Sequence, residues 1–168
     1  HEHATTNLIA ELFELHNRDE FELVAFSFGP NINDSMRNRI SQAFDRFIDV
    51  TTLSDESVAQ LSRDLEIDIA VDIKGFTQDE RLGIFSYRAA PIQVSYLGYP
   101  GTMGADYIDY IIADKTLISP ELQSYYSEKV IYLPYSYQVN DRKRLISDRK
   151  FTRQEVGLPE HGFIFCCF

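Results

Sequence analysis

The 168-residue sequence has no tryptophan, two methionines and two cysteines. Cys166 and Cys167 are adjacent, so they cannot close the long loops of a disulfide scaffold. Their apolar setting, Phe163-Ile164-Phe165-Cys166-Cys167-Phe168, predicts buried structural thiols in a reducing compartment. With the cysteines side by side and no Glu-x-x-His pattern on a helix, neither a metal ion nor another cofactor is expected. Positive charge is scarce as well: 16 Lys and Arg face 26 Asp and Glu, and a net charge of −10 repels nucleic acid as a partner. No segment reaches the ~18 apolar residues of a membrane span, and no basic start precedes an apolar core as in a signal peptide. The expectation is a cytoplasmic protein without membrane contact. Gly-x-Gly-x-x-Gly after the first strand, a Walker loop and a Gly-x-Ser-x-Gly elbow are also missing, which removes three common signatures of nucleotide and ester chemistry.

What is present is an alternation of strands and helices over a chain with 44% hydrophobic residues, enough for one domain with its own core. Leu8, Leu12 and Leu15 recur at helical spacing and predict a helix from Ala4 to about His16. Phe21 to Phe28 reads as a strand ended by Gly29-Pro30. A helix capped by Asp34 follows, with Met36, Ile40, Ala43, Phe44 and Phe47 on its inner face, and Ile48 and Val50 mark a short strand. Ser54 opens a helix with Val58, Leu61 and Leu65 inside, and Ile67 to Ile73 is a strand. Thr77 with Glu80 fits a capping box for a helix from Gln78 to about Tyr87. Strands then follow at Ile92 to Leu97, Tyr107 to Asp114 and Lys129 to Pro134, with a helix start at Ser119-Pro120-Glu121. Thr152 with Glu155 repeats the capping box before a short helix ended by Gly157, and Gly162 to Phe168 reads as a final strand. This order implies βαβ units, a mostly parallel sheet and helices on both faces. The polar run Gln138 to Lys150 is the linker candidate. The chain lacks an initial Met and stops inside an apolar run, so a piece of a larger protein is expected.

In open α/β sheets, ligands bind at the carboxyl ends of strands. Four loops qualify: Gly29-Pro30, Lys74 to Thr77, Gly98 to Gly104, and Pro134-Tyr135-Ser136. Gly98, Gly101 and Gly104 let backbone approach a ligand closely; alternatively Pro100-Gly101 occupies the centre of a type II turn. Asp72 and Lys74, two apart in a strand, point to one face and either bind a polar substrate or pair with each other. His3 at the start of the first helix is either a base facing a crevice or a capping histidine. The tyrosines Tyr96, Tyr99, Tyr107, Tyr110, Tyr125 and Tyr126 read as packing residues.

Several segments carry a resemblance in their wording, order and spacing: Asp72-Ile73-Lys74-Gly75-Phe76-Thr77, Arg88 through Gly104, Asp109-Tyr110-Ile111-Ile112-Ala113-Asp114, Tyr126-Ser127-Glu128-Lys129, Tyr132-Leu133-Pro134, and Gly157-Leu158-Pro159 with Gly162 to Phe168. Together they resemble the catalytic region of the O-linked N-acetylglucosamine transferases, the O-GlcNAc and SPINDLY-like enzymes of glycosyltransferase family 41. The resemblance implies a Rossmann-like three-layer α/β/α fold, the amino-terminal lobe of a GT-B enzyme often preceded by tetratricopeptide repeats. Residues 1–150 would be that lobe and 151–168 the start of the nucleotide-binding lobe. It implies inverting transfer of GlcNAc from UDP-GlcNAc to Ser or Thr of a protein acceptor, without a metal. His3 matches a family histidine near the sugar, proposed as the catalytic base. The glycine loop, Gly98, Tyr99, Pro100, Gly101 and Thr102, would face the cleft. Pro134 and Tyr135 match a segment near the acceptor, where Tyr135 replaces a more usual His. Most of the donor site would lie in the other lobe, which leaves this piece inactive alone. An N-linked glucosyltransferase and a non-catalytic interaction module are the alternatives.

Overall fold

The computed structural model describes residues 3–30, 32 and 34–166. Among them six strands alternate with four α-helices, and every strand pairing is parallel. β1 (Val24–Ser27) pairs with β2 (Arg46–Asp49); β3 (Ile69–Asp72), β4 (Ile92–Ser95), β5 (Tyr110–Ala113) and β6 (Lys129–Tyr132) form a second sheet in that order. Parallel neighbours need crossovers. α2 (Ser35–Gln42), α4 (Gly83–Ser86) and a 3₁₀ helix at Pro120–Tyr125 lie in the crossovers β1–β2, β3–β4 and β5–β6, the β4–β5 crossover is a loop, α3 (Asp55–Asp64) links the two sheets, and α1 (Ala4–Glu14) precedes β1.

Register decides what each face carries. Ala70, Gln93, Ser95, Ile111 and Val130 share one side of the four-stranded sheet, and Val71, Val94, Ile112 and Ile131 the other. On the first side, Val58 and Ala59 of α3 and Ile84 of α4 pack with Ala70, together with Phe26 and Ile48 of the two-stranded sheet. On the second, α1 seats Ile9 against Tyr96 and Leu97, with Ile73 and Ile112 alongside. The chain is thus an α/β, Rossmann-like unit with helices on both sides. Ile69, Val71, Ile92 and Ile131, on the side of α1, remain exposed.

Caps set the helix starts. Asp34 accepts the Arg37 amide at 2.7 Å, and Ser54 accepts that of Ser57 at 3.2 Å, with Asp55 and Glu56 at the positive end of α3. The fully buried Gln93 joins three main-chain groups, one of α4 and two of loops: its side-chain carbonyl accepts the Ala89 amide at 2.8 Å, and its side-chain amide donates to the Phe85 and Tyr107 carbonyls at 2.9 and 2.6 Å.

Several sequence expectations are corrected. α2 ends at Gln42, so Phe44 lies in a turn and Phe47 in β2. The Asp45 carboxylate causes this by accepting the Leu23 amide at 2.7 Å and pairing with Arg18, which pulls the chain into the strand. Thr77 and Glu80 do not form a capping box: Asp79 adopts φ 58°, Glu80 instead accepts the Leu82 amide at 2.6 Å, and the helix is confined to Gly83–Ser86. Thr152 and Glu155 do bond reciprocally, at 2.8 and 3.3 Å, but Gly157 at φ 69° closes a single turn in place of a helix. Residues 163–166 are not a strand, and Cys166 is exposed, against the expectation of a buried thiol. Cys167 and Phe168 lie outside the described residues.

The expected linker is partly docked. Val139 packs in the cluster of α1, Asp141 pairs with Arg39, Arg142 binds the buried Glu11 at 2.9 Å, and Lys143 binds Glu14 at 2.8 Å. Arg39 also grips Glu14 through two bonds of 2.8 and 2.9 Å. That fork holds the Glu14 carboxyl at about 2, well below its ordinary 4.5, with Lys143 assisting. A depressed carboxylate stabilises the fold fully above pH ~4.5 and loses that contribution as pH falls toward ~2. Arg39→Met is therefore expected to cost about 1–2 kcal/mol at pH 7 and to flatten the loss of stability between pH 5 and pH 3. Urea denaturation at several pH values measures this, and equal slopes in the two proteins would refute it.

Candidate functional site

The loops leaving β1, β3 and β4 meet at one edge of the molecule. β3 ends at Asp72, whose buried carboxylate accepts the Lys74 amide at 2.9 Å and the Gly75 amide at 3.0 Å and so turns the chain. Burial raises the Asp72 carboxyl above its ordinary value, against those two bonds. Because the strand stops there, Asp72 and Lys74 do not share a strand face as expected. Lys74 instead lies in the loop, with Nζ 5.9 Å from the centre of the Phe28 ring. Arg81 approaches the same ring at 5.5 Å.

The β4 loop is fitted against this turn. A Cβ on Gly98 would overlap the Ile73 carbonyl oxygen and stand 2.9 Å from Lys74 Cα. Gly75, at φ 59°, leaves room for Tyr99, whose Cγ would be 3.1 Å from an added Cβ, and Phe76 meets the Tyr99 ring edge-on at 5.5 Å. Gly101 makes space for the ring of Tyr99, with the nearest carbons at 2.8 Å from a Cβ. The type II turn at Pro100-Gly101 is not formed, because Gly101 does not take the positive φ which that turn requires; Leu97 (71°) and Gly104 (60°) do. Glycine here serves close loop packing and two left-handed positions, Gly75 and Gly104.

The remaining sequence candidates are distributed around this cluster. Thr102, expected to bind substrate, has its hydroxyl occupied inside the protein: it donates to Glu128 at 2.7 Å and accepts the Gly104 and Ser127 amides at 3.1 and 3.2 Å. Pro134 and Tyr135 follow β6, two strands and so ~10 Å along the sheet from β4. Tyr135 is 94% exposed. Beside it, Ser136, Gln138, Asn140, Asp114 and Thr116 line an open hollow of about 460 Å³. Asp114 shapes that hollow by accepting the Thr116, Leu117 and Tyr137 amides at 2.7–2.8 Å, bonds that lower its carboxyl. His3 is the N-cap of α1, its Nδ1 accepting the Thr5 amide at 3.2 Å. The structure therefore brings Lys74, Gly98, Tyr99 and Gly101 together, while Pro134 and Tyr135 follow a different strand of the sheet and His3 caps the helix that packs on Tyr96 and Leu97. Gln93 and the buried Glu128 were not picked out as functional from the residues alone. A polar residue inside an apolar strand was the available signal for Gln93, and the segment Tyr126 to Lys129 for Glu128.

A parallel α/β, Rossmann-like unit with its glycine-rich strand exits gathered on one edge belongs to the class of open sheets that take ligands at such exits. The model of glycosyl transferase family 41 matches residues 1–152, and the chain belongs to that family. It is 38% identical over 99% of its length to a probable UDP-N-acetylglucosamine–peptide N-acetylglucosaminyltransferase SEC of Arabidopsis thaliana, and 29% identical over 86% to the corresponding transferase of Caenorhabditis elegans. A solved structure of an O-GlcNAc transferase mutant of Thermobaculum terrenum superposes on 82% of the chain with a TM-score of 0.78 at 30% identity. The chain spans 18% and 13% of the two curated relatives and 26% of the solved one.

Two glycine substitutions separate crowding from backbone strain. Gly98→Ala forces a methyl into main-chain atoms and is expected to cost about 2–3 kcal/mol. Gly104→Ala meets nothing within 4 Å and is expected to cost only the left-handed penalty, about 1 kcal/mol. Denaturation midpoints of the two variants measure the difference, and equal costs would contradict the packing account.

Proposed function

We propose that this chain supplies one wall of the transfer site in a protein O-N-acetylglucosaminyltransferase, which moves N-acetylglucosamine from UDP-GlcNAc to a Ser or Thr hydroxyl with inversion. The single observation that carries this reading is the interlocked edge formed by Lys74 to Phe76 and Gly98 to Gly101 at the carboxyl ends of parallel strands, where an open α/β sheet takes its ligands. The wording of these loops in a family 41 chain, and the relatives named for this activity, support it. On this reading the lobe faces a nucleotide-holding partner lobe in the GT-B manner, residues 151–168 lead into that second lobe, and the protein works in the cytoplasm behind tetratricopeptide repeats. Lys74, Gly98, Tyr99, Pro100 and Gly101 line the sugar side, and Pro134 and Tyr135 the acceptor side.

The reaction needs a group that takes the hydroxyl proton and donors that hold the departing diphosphate. His3 is assigned the first role. In its capping state Nδ1 accepts the Thr5 amide hydrogen, which leaves the ring proton on Nε2. To receive a proton at Nε2, the ring must release Thr5 and carry its hydrogen on Nδ1. Capping and base chemistry are thus alternative states of one side chain.

The intact protein, assayed for transfer of labelled GlcNAc from UDP-GlcNAc to a Ser/Thr peptide, tests the reading. Asn caps helices well but takes no proton. His3→Asn is expected to leave the melting temperature near that of the wild type while lowering transfer about 100-fold or more. Wild-type protein that transfers nothing would sink the enzymatic reading, and full activity in His3→Asn would remove His3 from the chemistry.

A further inference from the structure

The segment Tyr126-Ser127-Glu128 has no part in the site as described, yet it grips the glycine loop along four residues. The Tyr126 hydroxyl donates to the Pro100 carbonyl at 3.0 Å. The Ser127 amide donates to Thr102 Oγ1 at 3.2 Å, and the two hydroxyls stand 3.2 Å apart. Glu128, only 4% exposed, takes both remaining groups: Oε2 accepts the Thr102 hydroxyl at 2.7 Å and Oε1 accepts the Met103 amide at 2.6 Å. Both bonds are short, and none of the ion pairs among the described residues includes Glu128, so its donors are the loop itself.

We infer that Glu128 is the positioning residue of the glycine loop, holding Thr102 and Met103 so that Gly98 to Gly101 keep the wall of the transfer site in place. The inference rests on the transferase reading for its functional half. Three observations support it. The Thr102 hydroxyl is saturated by one donated and two accepted bonds, so it acts as a joint and not as a ligand contact. Met103 is buried with Leu82 and Ile108, while Tyr99 packs against the same cluster, so a shift at Met103 is transmitted to Tyr99. And Glu128 immediately precedes β6, whose first residue Lys129 donates its amide to the Asp109 carbonyl at 2.9 Å, so the clamp is anchored on the sheet and not on another loop.

Two measurements on the intact protein test this together. Glu128→Ala is expected to speed amide hydrogen exchange at Met103 and Gly104 about 100-fold, with α1 and β3 unchanged, and to lower kcat/KM for sugar transfer about tenfold or more. Glu128→Gln keeps a carbonyl acceptor for the Met103 amide but turns an amide donor on the Thr102 oxygen, which already accepts two bonds, so it is expected to hold Met103 exchange within about threefold of the wild type while Gly104 exchange stays fast and kcat/KM falls between those of the wild type and Glu128→Ala. The inference is overturned if Glu128→Ala leaves Met103 exchange unchanged, or if exchange accelerates equally in α1 and β3, which marks a general loss of stability. It is also overturned if the loop loosens while kcat/KM stays within twofold. Wild-type protein that fails to transfer sugar sinks the transferase reading instead, and the exchange comparison then decides the clamp by itself.

Discussion

The main chain of Gly98 lies so close to the Ile73 carbonyl and Lys74 Cα that no side chain fits between them, and the candidate site depends on this contact. Parallel strands β3 and β4 are held at ladder spacing through Asp72 and Ser95, and their exits would normally diverge around side chains. Here they remain in contact past the sheet, because Gly98 carries no Cβ and the carboxylate of Asp72 folds Lys74 and Gly75 back onto the strand end. Tyr99 then fills the space that Gly75 leaves, and Phe76 closes on its ring. Two loops that would each be mobile alone form one surface. Preorganised surfaces of this kind reduce the entropy cost of binding a ligand.

The rest of the fold secures the strands behind that surface. Gln93 in the middle of β4 satisfies the loop before it through Phe85 and Ala89 and the loop after it through Tyr107, and its own amide donates to Asp109 at 2.8 Å. Arg88, at φ 56°, locks the same Asp109 with two bonds of 2.8 Å and draws its carboxyl down despite burial. A buried network of this sort rigidifies only when every member is satisfied, as these are. The two-stranded sheet joins through apolar packing, with Phe26, Phe28 and Ile48 entering the cluster of Val50, Val58 and Ile84, and through Arg81, which donates to the Val50 carbonyl at 3.0 Å. Phe28 thereby comes to lie beneath Lys74, which couples the β1 exit to the β3 loop.

Sequence pattern revealed those elements whose signal is local. The α1 stripe, the Asp34 and Ser54 caps and the apolar runs of β3, β4 and β5 each appear in the structure near their expected positions, because burial on one face or a cap at one residue fixed them. The failures share a cause, which is a long-range partner overriding a local preference. Phe44 and Phe47 have helical spacing, yet Asp45 is claimed by Leu23 and Arg18 from the segment that leads into β1. Thr77 and Glu80 spell a capping box, yet Asp79 turns left-handed and Glu80 serves another amide. At the site, the glycines were legible as places of close approach, but what approaches is protein backbone and a tyrosine ring. Thr102 enters as a site residue through the resemblance of its loop, and its bond to Glu128, 26 residues away, is not visible in that wording. Pairing at that separation leaves no mark in a local pattern.

Charge placement argues for which half of the reaction such a lobe can serve. A departing diphosphate needs several donors aimed at its oxygens. The cations of this chain are largely committed: Arg39 to Glu14 and Asp141, Arg81 to Asp55, Arg88 to Asp109, Arg142 to Glu11 and Lys143 to Glu14. Each pairs with a carboxylate on another segment of the chain, and a net charge of −10 sets the surrounding field against an anion. At the interlocked edge, Lys74 is the cation without an ion pair among the described residues, and its ammonium rests over Phe28. One lysine beside Gly98 and Tyr99 suits the neutral hydroxyls and carbonyl of an acetamido sugar or a peptide better than two phosphate groups. On the transferase reading, the division of labour follows from electrostatics: this lobe shapes and orients the uncharged partners, and the charge of the leaving group is met elsewhere.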